Sequence, residues 1–364
     1  MNIFRIIDVN SNRAREATRV IEDYARFILE DATLSAKARS IRHNLVVILK
    51  PCSRQMLASR DIQSDIGKET PTTAKTNPEI VISNFSRLGE ALRSIAEYLK
   101  TQSLALVAKV ERLRFEAYQL EQEFSFVLYP NKALSALRLY VLVSDVKEKI
   151  ISDLIMGGVD PVRSPSPRGD GRCLGHLTSN GASAIQLRAE GLSDRNLLKE
   201  AIKLRKITRV HKVLLIINNR IDIALLSNAD GVHLGETDMP VRDARKILGP
   251  DKIIGATSHS IAEALASQRN GADYISVGPI FSSPTKPHLA PAGFSYLKEV
   301  AKRIHIPYVA IGGITAGNLP VLLKAHKRLF KVPIKIAVSS GILNSKNISE
   351  TTRRISKILN HKGR

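Results

Sequence analysis

The sequence predicts an α/β protein in which a (β/α)8 barrel follows an all-α helical-bundle domain. After residue 138, eight short apolar runs end on polar residues and alternate with helical patterns. Before residue 126, apolar residues recur at helical spacing, and part of this pattern occurs twice. The length of 364 residues suits one small and one large domain.

Composition limits the functions that the chain can have. The net charge is +21, of which residues 1–137 contribute +4 and the remainder +17. Because Lys and Arg are scattered along helical patterns and aromatic residues are only 5%, this charge favours phosphorylated small molecules over nucleic acid as partners. Cys52 and Cys173 fit no metal or disulfide spacing, which indicates a reducing cytoplasm. The chain has no run of about 18 apolar residues and no signal-peptide pattern at its start, so we expect a cytoplasmic protein without a membrane partner.

The first domain, residues 1–125, contains an internal duplication. Residues 10–24 align with residues 84–98, and seven of the 15 positions are identical. The identical pairs are Asn10/Asn84, Arg13/Arg87, Glu16/Glu90, Ala17/Ala91, Arg19/Arg93, Ile21/Ile95 and Tyr24/Tyr98. We expect Asn10 and Ser83 to cap the two copies, and residues 34–49 and 104–123 to add a second helix to each. Two helical hairpins related by pseudo-symmetry predict a four-helix bundle.

The repeated polar residues have two interpretations. Helix capping and exposed ion pairs, such as Arg13 with Glu16 or Glu16 with Arg19, would explain them without a binding site. A paired site at the pseudo-twofold axis would explain why polar residues are identical in both copies as well as apolar ones. The sequence leaves both interpretations open.

The second domain, residues 138–364, follows a linker at residues 126–137. Its predicted strands are residues 139–143, 184–187, 214–217, 231–234, 253–256, 274–277, 308–311 and 334–338. Its predicted helices include residues 196–209, 221–226, 242–248, 261–270, 296–303 and 318–326. Eight such units in about 225 residues predict a (β/α)8 TIM barrel. Residues 159–175, rich in Pro, Gly, Ser and Arg, are interpreted as a loop insertion after the first strand.

Glycine and serine residues after the last two strands predict a phosphate site. Gly312-Gly313 follows the seventh strand and Ser339-Ser340-Gly341 follows the eighth. Barrels commonly bind phosphate at this position, where backbone N–H groups and a helix N-terminus face the anion.

A second phosphate group could bind after the sixth strand. Ser283 and Thr285 supply hydroxyl groups there, and Lys286 supplies a positive charge. The alternative interpretation is a surface turn around Pro284 and Pro287.

Asp238 is the candidate metal ligand at the same rim of the barrel. Its carboxylate follows the fourth strand, and a hard oxygen ligand suits Mg²⁺. Alternatively, Asp238 caps a helix that begins at Met239-Pro240, because Asp followed by Pro is a common helix start. The two roles are compatible.

Several motifs in the first domain match a known module. They are Asp8-Val9-Asn10-Ser11-Asn12-Arg13-Ala14-Arg15-Glu16, Arg19-Val20-Ile21-Glu22-Asp23-Tyr24-Ala25-Arg26-Phe27, Ile41-Arg42-His43-Asn44-Leu45, Arg60-Asp61 and Asp65-Ile66-Gly67. Through them the domain resembles the helical module that is fused ahead of thiamine phosphate synthase in some bacteria. The resemblance implies an alternative hydroxymethylpyrimidine phosphate kinase, with ATP as a candidate phosphate donor. A helical domain used only for assembly, and a homo-oligomeric state, remain open alternatives.

The barrel domain carries a second set of motifs. They include Gln186-Leu187-Arg188, Asn218 with Arg220, Gly231-Val232-His233-Leu234-Gly235, Gly278-Pro279-Ile280-Phe281, Pro284-Thr285-Lys286 and Ile311-Gly312-Gly313-Ile314-Thr315. Through them the domain resembles thiamine phosphate synthase. This family joins 4-amino-2-methyl-5-(diphosphooxymethyl)pyrimidine to 4-methyl-5-(2-phosphooxyethyl)thiazole and releases pyrophosphate.

The resemblance implies roles for the residues at the rim. The pyrimidine diphosphate would be bound by Gln186, Arg188, Glu190, Asn218, Thr257 and Lys286, of which Arg188, Thr257 and Lys286 would be catalytic. The thiazole phosphate would be bound by Ser283, Pro284, Thr285, Gly313, Ser339 and Ser340. The cofactor Mg²⁺ would be held by Asn219 and Asp238. Positioning and electrostatic stabilisation of the departing pyrophosphate would then carry the reaction, without a strong general base.

Two positions depart from the family pattern. The family usually has Asp where this chain has Asn219, and Lys where it has Glu190. The first change removes a charge from the metal site, and the second replaces a cation near the pyrophosphate with an anion. One hypothesis is that the arginines of the inserted loop, Arg163, Arg168 and Arg172, supply the missing charge. The departures also keep open a different function, a non-catalytic barrel that senses thiamine precursors.

Overall fold

The computed structural model describes residues 3–60, 75–157, 181–282, 293–329 and 333–360. The chain divides into two compact units, Met1–Leu128 and Tyr129–Arg364. The predicted loop insertion at residues 159–175 and the motif Ser283-Pro284-Thr285-Lys286 lie outside the described residues.

The first unit is built from helices. They are α1 (Ile3–Phe27), α2 (Ala32–Leu49), α3 (Ser53–Ala58), α4 (Asn77–Leu99) and α5 (Leu104–Leu128). The duplicated segments lie on α1 and α4, which pack against each other, while α2 packs on α1 and α5 packs on α4. The two helical hairpins that the duplication predicts are therefore present, and α3 is an additional short helix.

The predicted helix caps at Asn10 and Ser83 are wrong. Both residues lie inside helices that begin earlier in the chain, at Ile3 and Asn77. The cap of α4 is Thr76, whose backbone N–H donates to the Glu79 carboxylate at 2.7 Å in a capping box. The cap residue of α4 therefore lies before the duplicated segment.

Small and aromatic residues together fill the core of the first unit. The equivalent residues Ala17 and Ala91 are each 2% exposed, and small side chains allow α1 and α4 to approach closely. Phe85 on α4 meets Phe124 on α5 edge to face, with ring centroids 5.2 Å apart. Part of the duplication is thus explained by core packing alone.

The second unit is a closed (β/α)8 TIM barrel, which confirms the predicted fold class. Its strands are β1 (Leu139–Val143), β2 (Ala184–Leu187), β3 (Leu214–Asn218), β4 (Gly231–Leu234), β5 (Ile253–Ser258), β6 (Tyr274–Val277), β7 (Tyr308–Ile311) and β8 (Lys335–Val338). All neighbours are parallel, and β8 pairs with β1 to close the barrel. The strands are apolar on both faces because one face packs inside the barrel and the other under the helices.

Helices cover the outside of the barrel. They are α6 (Glu148–Met156), α7 (Asp194–Val210), α8 (Ile221–Leu226), α9 (Val241–Leu248), α10 (Ile261–Arg269), α11 (Gly293–Arg303), α12 (Leu319–Leu329), α13 (Ser340–Leu343) and α14 (Ile348–Asn360). Most boundaries differ from the predicted ones by a few residues at most. Strand β5 is longer than predicted, so that Thr257 lies within the strand rather than after it.

The segment predicted as a linker closes the N-terminal end of the barrel. Helix α5 continues to Leu128, and Lys132–Ala136 form a short 3-10 helix. Leu134 and Leu137 are buried against the residues that fill the barrel interior. The opposite end, where the strands terminate in polar residues, remains for a functional site.

The structure also bears on membrane association. Within the described residues, no helix has both the length and the apolar composition that crossing a membrane requires.

Candidate active site

Two of the predicted substrate-binding residues lie on the inner face of the barrel. Gln186 on β2 is 2% exposed, and its Nε2 donates to the Tyr140 hydroxyl at 2.7 Å. Thr257 on β5 is half-buried, and its Oγ1 lies 3.0 Å from Nε2 of His233. Both side chains are therefore held by other side chains of the barrel.

Three buried side chains connect these two residues. The hydroxyl oxygens of Tyr140 and Tyr274 are 3.1 Å apart, and the Tyr274 hydroxyl lies 3.0 Å from Nδ1 of His233. A continuous series of hydrogen bonds thus runs from Gln186 through Tyr140, Tyr274 and His233 to Thr257. We call these five residues the interior chain.

Burial keeps the middle of the interior chain uncharged. Desolvation, and after it the positive charge of Arg188, lowers the pKa of His233 to about 4. The imidazole is therefore neutral at neutral pH. Desolvation also raises the pKa of the Tyr140 and Tyr274 hydroxyls, so both keep their protons. The interior chain consequently orients hydrogen bonds and carries no net charge.

A glycine makes room for the central tyrosine of the interior chain. A Cβ atom at Gly255 would lie 2.0 Å from Cζ of Tyr274. The His233 ring stacks on Tyr274 with an interplanar angle of 21°. Tyr140, His233 and Tyr274 were not among the predicted site residues. The available signal was strand alternation, which puts His233 on the same face of β4 as Gly231.

Arg188 lies just beyond β2 and is paired with Glu190. Its Nη2 lies 2.8 Å from Oε1 of Glu190, and its Nε donates to the same oxygen at 2.9 Å. The two side chains are 36% and 74% exposed, so the pair is open to solvent. Glu190, which stands where the family usually has Lys, is therefore paired with Arg188. Arg188 is the cation that the resemblance assigns to the diphosphate.

Asn218 and Arg220 have different surroundings after β3. Asn218 is the last residue of the strand and is half-buried. Arg220 pairs with Asp194 at the start of α7 and with Asp222 at the start of α8. Arg220 thus ties two helices together, which is a structural explanation for its presence in the motif.

Asn219 and Asp238 are the two residues predicted to bind a metal. Asn219 has a φ of 62°, a left-handed conformation in which Asn and Asp are more common than most other residues. The backbone N–H of Asn219 donates to the His233 carbonyl at 2.9 Å. The Asp238 carboxylate accepts a 2.6 Å hydrogen bond from the N–H of Gly235. The predicted capping role of Asp238 is wrong, because α9 begins at Val241 with Pro240 as its cap residue.

The donor set fits a hard cation that keeps other ligands. Asp238 offers a carboxylate and Asn219 an amide carbonyl, both oxygen donors of the type that Mg²⁺ prefers. Among the described residues, no group of three or more His, Cys, Asp or Glu side chains could hold a metal. A cation here would therefore take further oxygens from water and substrate phosphate.

The ends of β7 and β8 have the backbone geometry of an anion site. Gly312 and Gly313 have φ of 98° and 63°, and a Cβ at Gly313 would lie 2.4 Å from the Ser282 carbonyl oxygen. Ser340 begins α13, and Ser339 donates its hydroxyl to the Leu142 carbonyl at 3.2 Å. Within the described residues, the N–H groups of Gly312, Gly313 and Ser340 have no hydrogen-bond acceptor. The other predicted thiazole-phosphate residues, Ser283, Pro284 and Thr285, and also Lys286, lie outside the described residues.

In the helical unit, the duplicated asparagines have the same environment. Asn10 and Asn84 are 8% and 6% exposed. Each donates its Nδ2 to the carbonyl four residues earlier, Ile6 at 2.9 Å and Ile80 at 2.8 Å. Their identity in both copies follows from this shared position between the helices rather than from capping.

The duplicated charged residues are exposed. The predicted ion pairs of Glu16 with Arg13 and with Arg19 do not form within the described residues. Arg19 lies 3.6 Å from Asp23 instead, and Arg93 pairs with Glu97 at 3.0 Å. The remaining duplicated charges, Arg13, Arg87, Glu16 and Glu90, stay exposed without such a partner in the described part of the chain.

A buried carboxylate on α1 of the helical unit is paired with two arginines of α2. Glu22 is 3% exposed and accepts hydrogen bonds from Arg39 at 2.9 Å and Arg42 at 2.8 Å. Burial opposes its charged form, but these hydrogen bonds outweigh burial and hold the pKa of Glu22 below its ordinary value. Asp8, 5% exposed, is paired similarly with Arg60 at 2.7 Å.

Comparison with known proteins gives a consistent result for both units. Residues 165–333 match the family model described as thiamine monophosphate synthase, and residues 5–123 match the ThiD2 family. A thiamine-phosphate synthase from Synechococcus sp. strain WH7803 is 34% identical, with 98% of this chain and 96% of that protein covered.

Two further proteins extend the comparison. A thiamine-phosphate synthase from Thermosynechococcus vestitus is 34% identical, with 96% of this chain and 93% of that protein covered. The solved structure of thiamine phosphate pyrophosphorylase from Pyrococcus furiosus is 30% identical, with a TM-score of 0.49, and covers 61% of this chain and 95% of its own.

Proposed function

The chain belongs to the thiamine-phosphate synthase family, and on that premise we propose a function for each of its two units. The barrel forms thiamine phosphate from a pyrimidine diphosphate and a thiazole phosphate, and pyrophosphate leaves. The helical unit prepares the first substrate by transferring a phosphate group from ATP to the pyrimidine monophosphate. Each proposal is supported by its own observations.

The pyrimidine diphosphate binds at the carboxyl ends of β2, β3 and β5. The observation that carries this assignment is that four residues lie on, or directly after, three strands at this end of the barrel: Gln186, Arg188, Asn218 and Thr257. Gln186 and Thr257 would orient the pyrimidine ring through hydrogen bonds. Arg188 would bind the diphosphate after leaving Glu190, and Lys286 would add a second positive charge.

The thiazole phosphate binds at the ends of β7 and β8. The backbone N–H groups of Gly313 and Ser340 would donate hydrogen bonds to this phosphate. This role is supported because neither group has a hydrogen-bond acceptor among the described residues. Ser339 adds a hydroxyl group there, and Ser283, Pro284 and Thr285 would complete the site. This arrangement would hold the thiazole nitrogen near the pyrimidine without any covalent contribution from the protein.

Asn219 and Asp238 would hold Mg²⁺, which would supply positive charge to the diphosphate. The chain's own residues contribute position and charge. Arg188 and Lys286 stabilise the negative charge that develops on the departing pyrophosphate. The thiazole nitrogen attacks the pyrimidine methylene carbon from which the pyrophosphate departs. The buried and uncharged side chains of Tyr140, Tyr274 and His233 would neither take up nor release a proton during this step.

The helical unit is supported as a kinase by its match to the ThiD2 family and by its exposed duplicated charges. Arg13 and Arg87 would bind phosphate groups of ATP or of the pyrimidine.

A second candidate for the whole chain, a sensor of thiamine precursors without turnover, is favoured by one observation. Arg188 is already paired with Glu190, which is an anion at the position where the family usually has Lys.

The test uses the purified full-length protein with Mg²⁺ and thiazole phosphate in two reactions. One reaction contains the pyrimidine diphosphate, and the other contains the pyrimidine monophosphate with ATP. We expect thiamine phosphate in both. Product from the diphosphate alone would contradict the kinase proposal, and product from neither would favour the sensor.

Variants separate the two units in this assay. We expect Arg13→Ala combined with Arg87→Ala to abolish product from the monophosphate and to leave product from the diphosphate intact. Arg188→Ala should abolish product from both precursors, because both routes end at the barrel. A double variant that still converts the monophosphate at the original rate would contradict the role of the duplicated arginines.

A further inference from the structure

The helical unit contains a pocket at one end of α1 that has no part in the proposed kinase. It lies where α1 ends and α2 begins, and it measures about 340 Å³. Its lining residues are Arg26, Glu30, Ala32, Ser35, Ala36 and Arg39. Pockets that bind small molecules usually measure about 300–1,000 Å³. Arg26 follows Arg13 by 13 positions on the same helix, which corresponds to about 20 Å along its axis, so the pocket is separate from Arg13.

The two arginines of this pocket are oriented by protein side chains and keep donors free. Nε of Arg39 donates to the buried carboxylate of Glu22 at 2.9 Å, which orients the guanidinium. Its two Nη groups have no acceptor within the described residues. The guanidinium carbon of Arg26 lies 4.8 Å from the centre of the Phe27 ring, and Arg26 has no carboxylate partner in the part of the chain that is described. Free guanidinium N–H groups match a phosphate, which they bind through paired N–H···O bonds.

A buried hydroxyl group is an observation independent of these two charges. Ser35 is 6% exposed, and its side chain lines the pocket. A serine inside a helix can donate to the carbonyl three or four residues earlier, but the Ser35 hydroxyl forms no hydrogen bond with any residue that the structure describes. Its oxygen is not among the fully enclosed unpaired atoms of those residues, so it is open to the pocket. A ligand oxygen in the pocket would complete the hydrogen bonding of this hydroxyl.

A carboxylate in the same pocket narrows the class of ligand. Glu30 is exposed, lines the pocket and forms no ion pair with Arg26 or Arg39 in the described ranges of the chain. The arginines would attract a phosphate group, whereas Glu30 would repel it. This repulsion becomes an attraction when the same ligand also carries a positive charge or an amino group. The pocket therefore fits a molecule with a phosphate at one end and such a group at the other.

The second helical copy lacks these charges. The positions on α4 that correspond to Glu22 and Arg26 are Ala96 and Lys100. Ala96 is 1% exposed, and Lys100 is paired with Glu97 at 2.6 Å. Because both copies form a helical hairpin, the packing of the hairpin does not by itself require Glu22 or Arg26. Their presence in the first copy is better explained by a ligand.

We propose that this pocket binds a small phosphate monoester that also carries a positive charge or an amino group. Arg26 and Arg39 would bind the phosphate, Ser35 would donate a hydrogen bond to it, and Glu30 would face the other end of the ligand. Two phosphate monoesters of the proposed function have these features, the pyrimidine monophosphate and thiamine phosphate. The thiazole phosphate and inorganic phosphate lack the second feature. The inference goes beyond the proposed kinase and does not depend on it, because binding needs no phosphate transfer.

The experiment reads this pocket separately from the other phosphate sites of the chain. The chain contains no Trp, so Phe27→Trp introduces a single fluorescent reporter beside Arg26. Phe27 is 63% exposed, and a Trp ring keeps the contact with the guanidinium. The full-length protein carrying this substitution is titrated, without ATP, with each of the four compounds. We expect a saturable change with the pyrimidine monophosphate and thiamine phosphate, and a Kd at least about 10-fold higher for the thiazole phosphate and inorganic phosphate.

Further substitutions in the Phe27→Trp background test the role of each side chain. Arg26→Gln should raise the Kd of the two preferred compounds by at least about 10-fold, and Ser35→Ala by about 3- to 10-fold. Glu30→Gln should reduce their preference over inorganic phosphate to below about 3-fold. Arg112→Gln is the matched control, because it removes the same charge from an exposed position on α5 of the same unit. Its Kd values should stay unchanged.

A second measurement avoids the reporter. Calorimetry with thiamine phosphate should find one site fewer per chain in Arg26→Gln than in Arg112→Gln, with the same thermal midpoint in both proteins. Equal numbers of sites, or no saturable fluorescence change with any of the four compounds, would overturn the inference. Equal Kd values for all four compounds would overturn the assignment to a monoester with a second group. The kinase proposal is tested separately by product formation from the pyrimidine monophosphate and ATP, so either proposal can fail alone.

Discussion

Replacement of Glu190 by Lys should strengthen binding of the pyrimidine diphosphate. Arg188 is paired with Glu190 at 2.8 Å, so a diphosphate bound by Arg188 as we propose would compete with this carboxylate. Because both side chains are substantially exposed, the pair itself contributes only about 0–1 kcal/mol. The larger effect comes from the charge, since two unit charges about 4 Å apart interact by about 1 kcal/mol in water.

These magnitudes give graded expectations for two variants. Glu190→Gln removes the competing anion and should lower the KM for the diphosphate by up to about 5-fold. Glu190→Lys also turns a repulsion into an attraction, for a total of about 2 kcal/mol and a KM lowered by about 10- to 30-fold. Both effects should shrink at high salt, because exposed charges are screened.

The assay is the initial rate of thiamine phosphate formation at saturating thiazole phosphate, with the diphosphate varied at low and at high salt. Glu299→Lys on α11 is the matched control, because it makes the same change in net charge at an exposed glutamate on the barrel's outer helices. Its KM should stay near that of wild type. A KM that is unchanged or higher in both Glu190 variants would refute the competition between Glu190 and the diphosphate.

Three further predictions concern the metal positions and the helical unit. Asn219→Asp should lower the Mg²⁺ concentration needed for half-maximal rate by roughly 10-fold, since Asp tolerates φ of 62° and adds a charge; an unchanged Mg²⁺ titration would contradict a metal at this position. Asp238→Asn keeps an acceptor for the Gly235 N–H and should raise that concentration by roughly 10-fold with the thermal midpoint preserved. If the midpoint falls instead, Asp238 acts mainly on the loop. Glu22→Gln should reduce the free energy of unfolding in urea at neutral pH by about 1–3 kcal/mol, because it removes a charge paired with Arg39 and Arg42. Since the folded-state pKa of Glu22 is depressed, this stabilisation is present above the unfolded-state pKa and is lost as pH falls through the folded-state value; a difference that persisted in acid would contradict this origin.

The barrel could be predicted from sequence because its strands are apolar on both faces and end abruptly in polar residues. This pattern located all eight strands, and it placed Asn218, Asp238 and Gly313 at strand ends. It failed to place Thr257, because β5 continues through two polar residues that pattern reading takes as the end of a strand. It also failed for the caps of α1 and α4, since an asparagine can be satisfied inside a helix by the carbonyl four residues earlier.

The interior chain could not be predicted from local sequence. Tyr140 and Tyr274 are 134 positions apart, and their hydroxyls meet only because the barrel closes. A histidine in the middle of an apolar strand is compatible with a satisfied core residue as well as with a functional one. Side chains whose role depends on partners from several strands become visible only when the strand order and the direction of each side chain are known.

We propose that this barrel catalyses the condensation with Asn219 and Glu190 in place. The most direct measurement is thiamine phosphate formation from the pyrimidine diphosphate and the thiazole phosphate by the purified full-length protein, with Mg²⁺ and in parallel with a chelator. We expect stoichiometric release of pyrophosphate and thiamine phosphate over many turnovers with Mg²⁺, and loss of product with the chelator. Binding of both precursors without turnover would contradict it and would identify the barrel as a sensor.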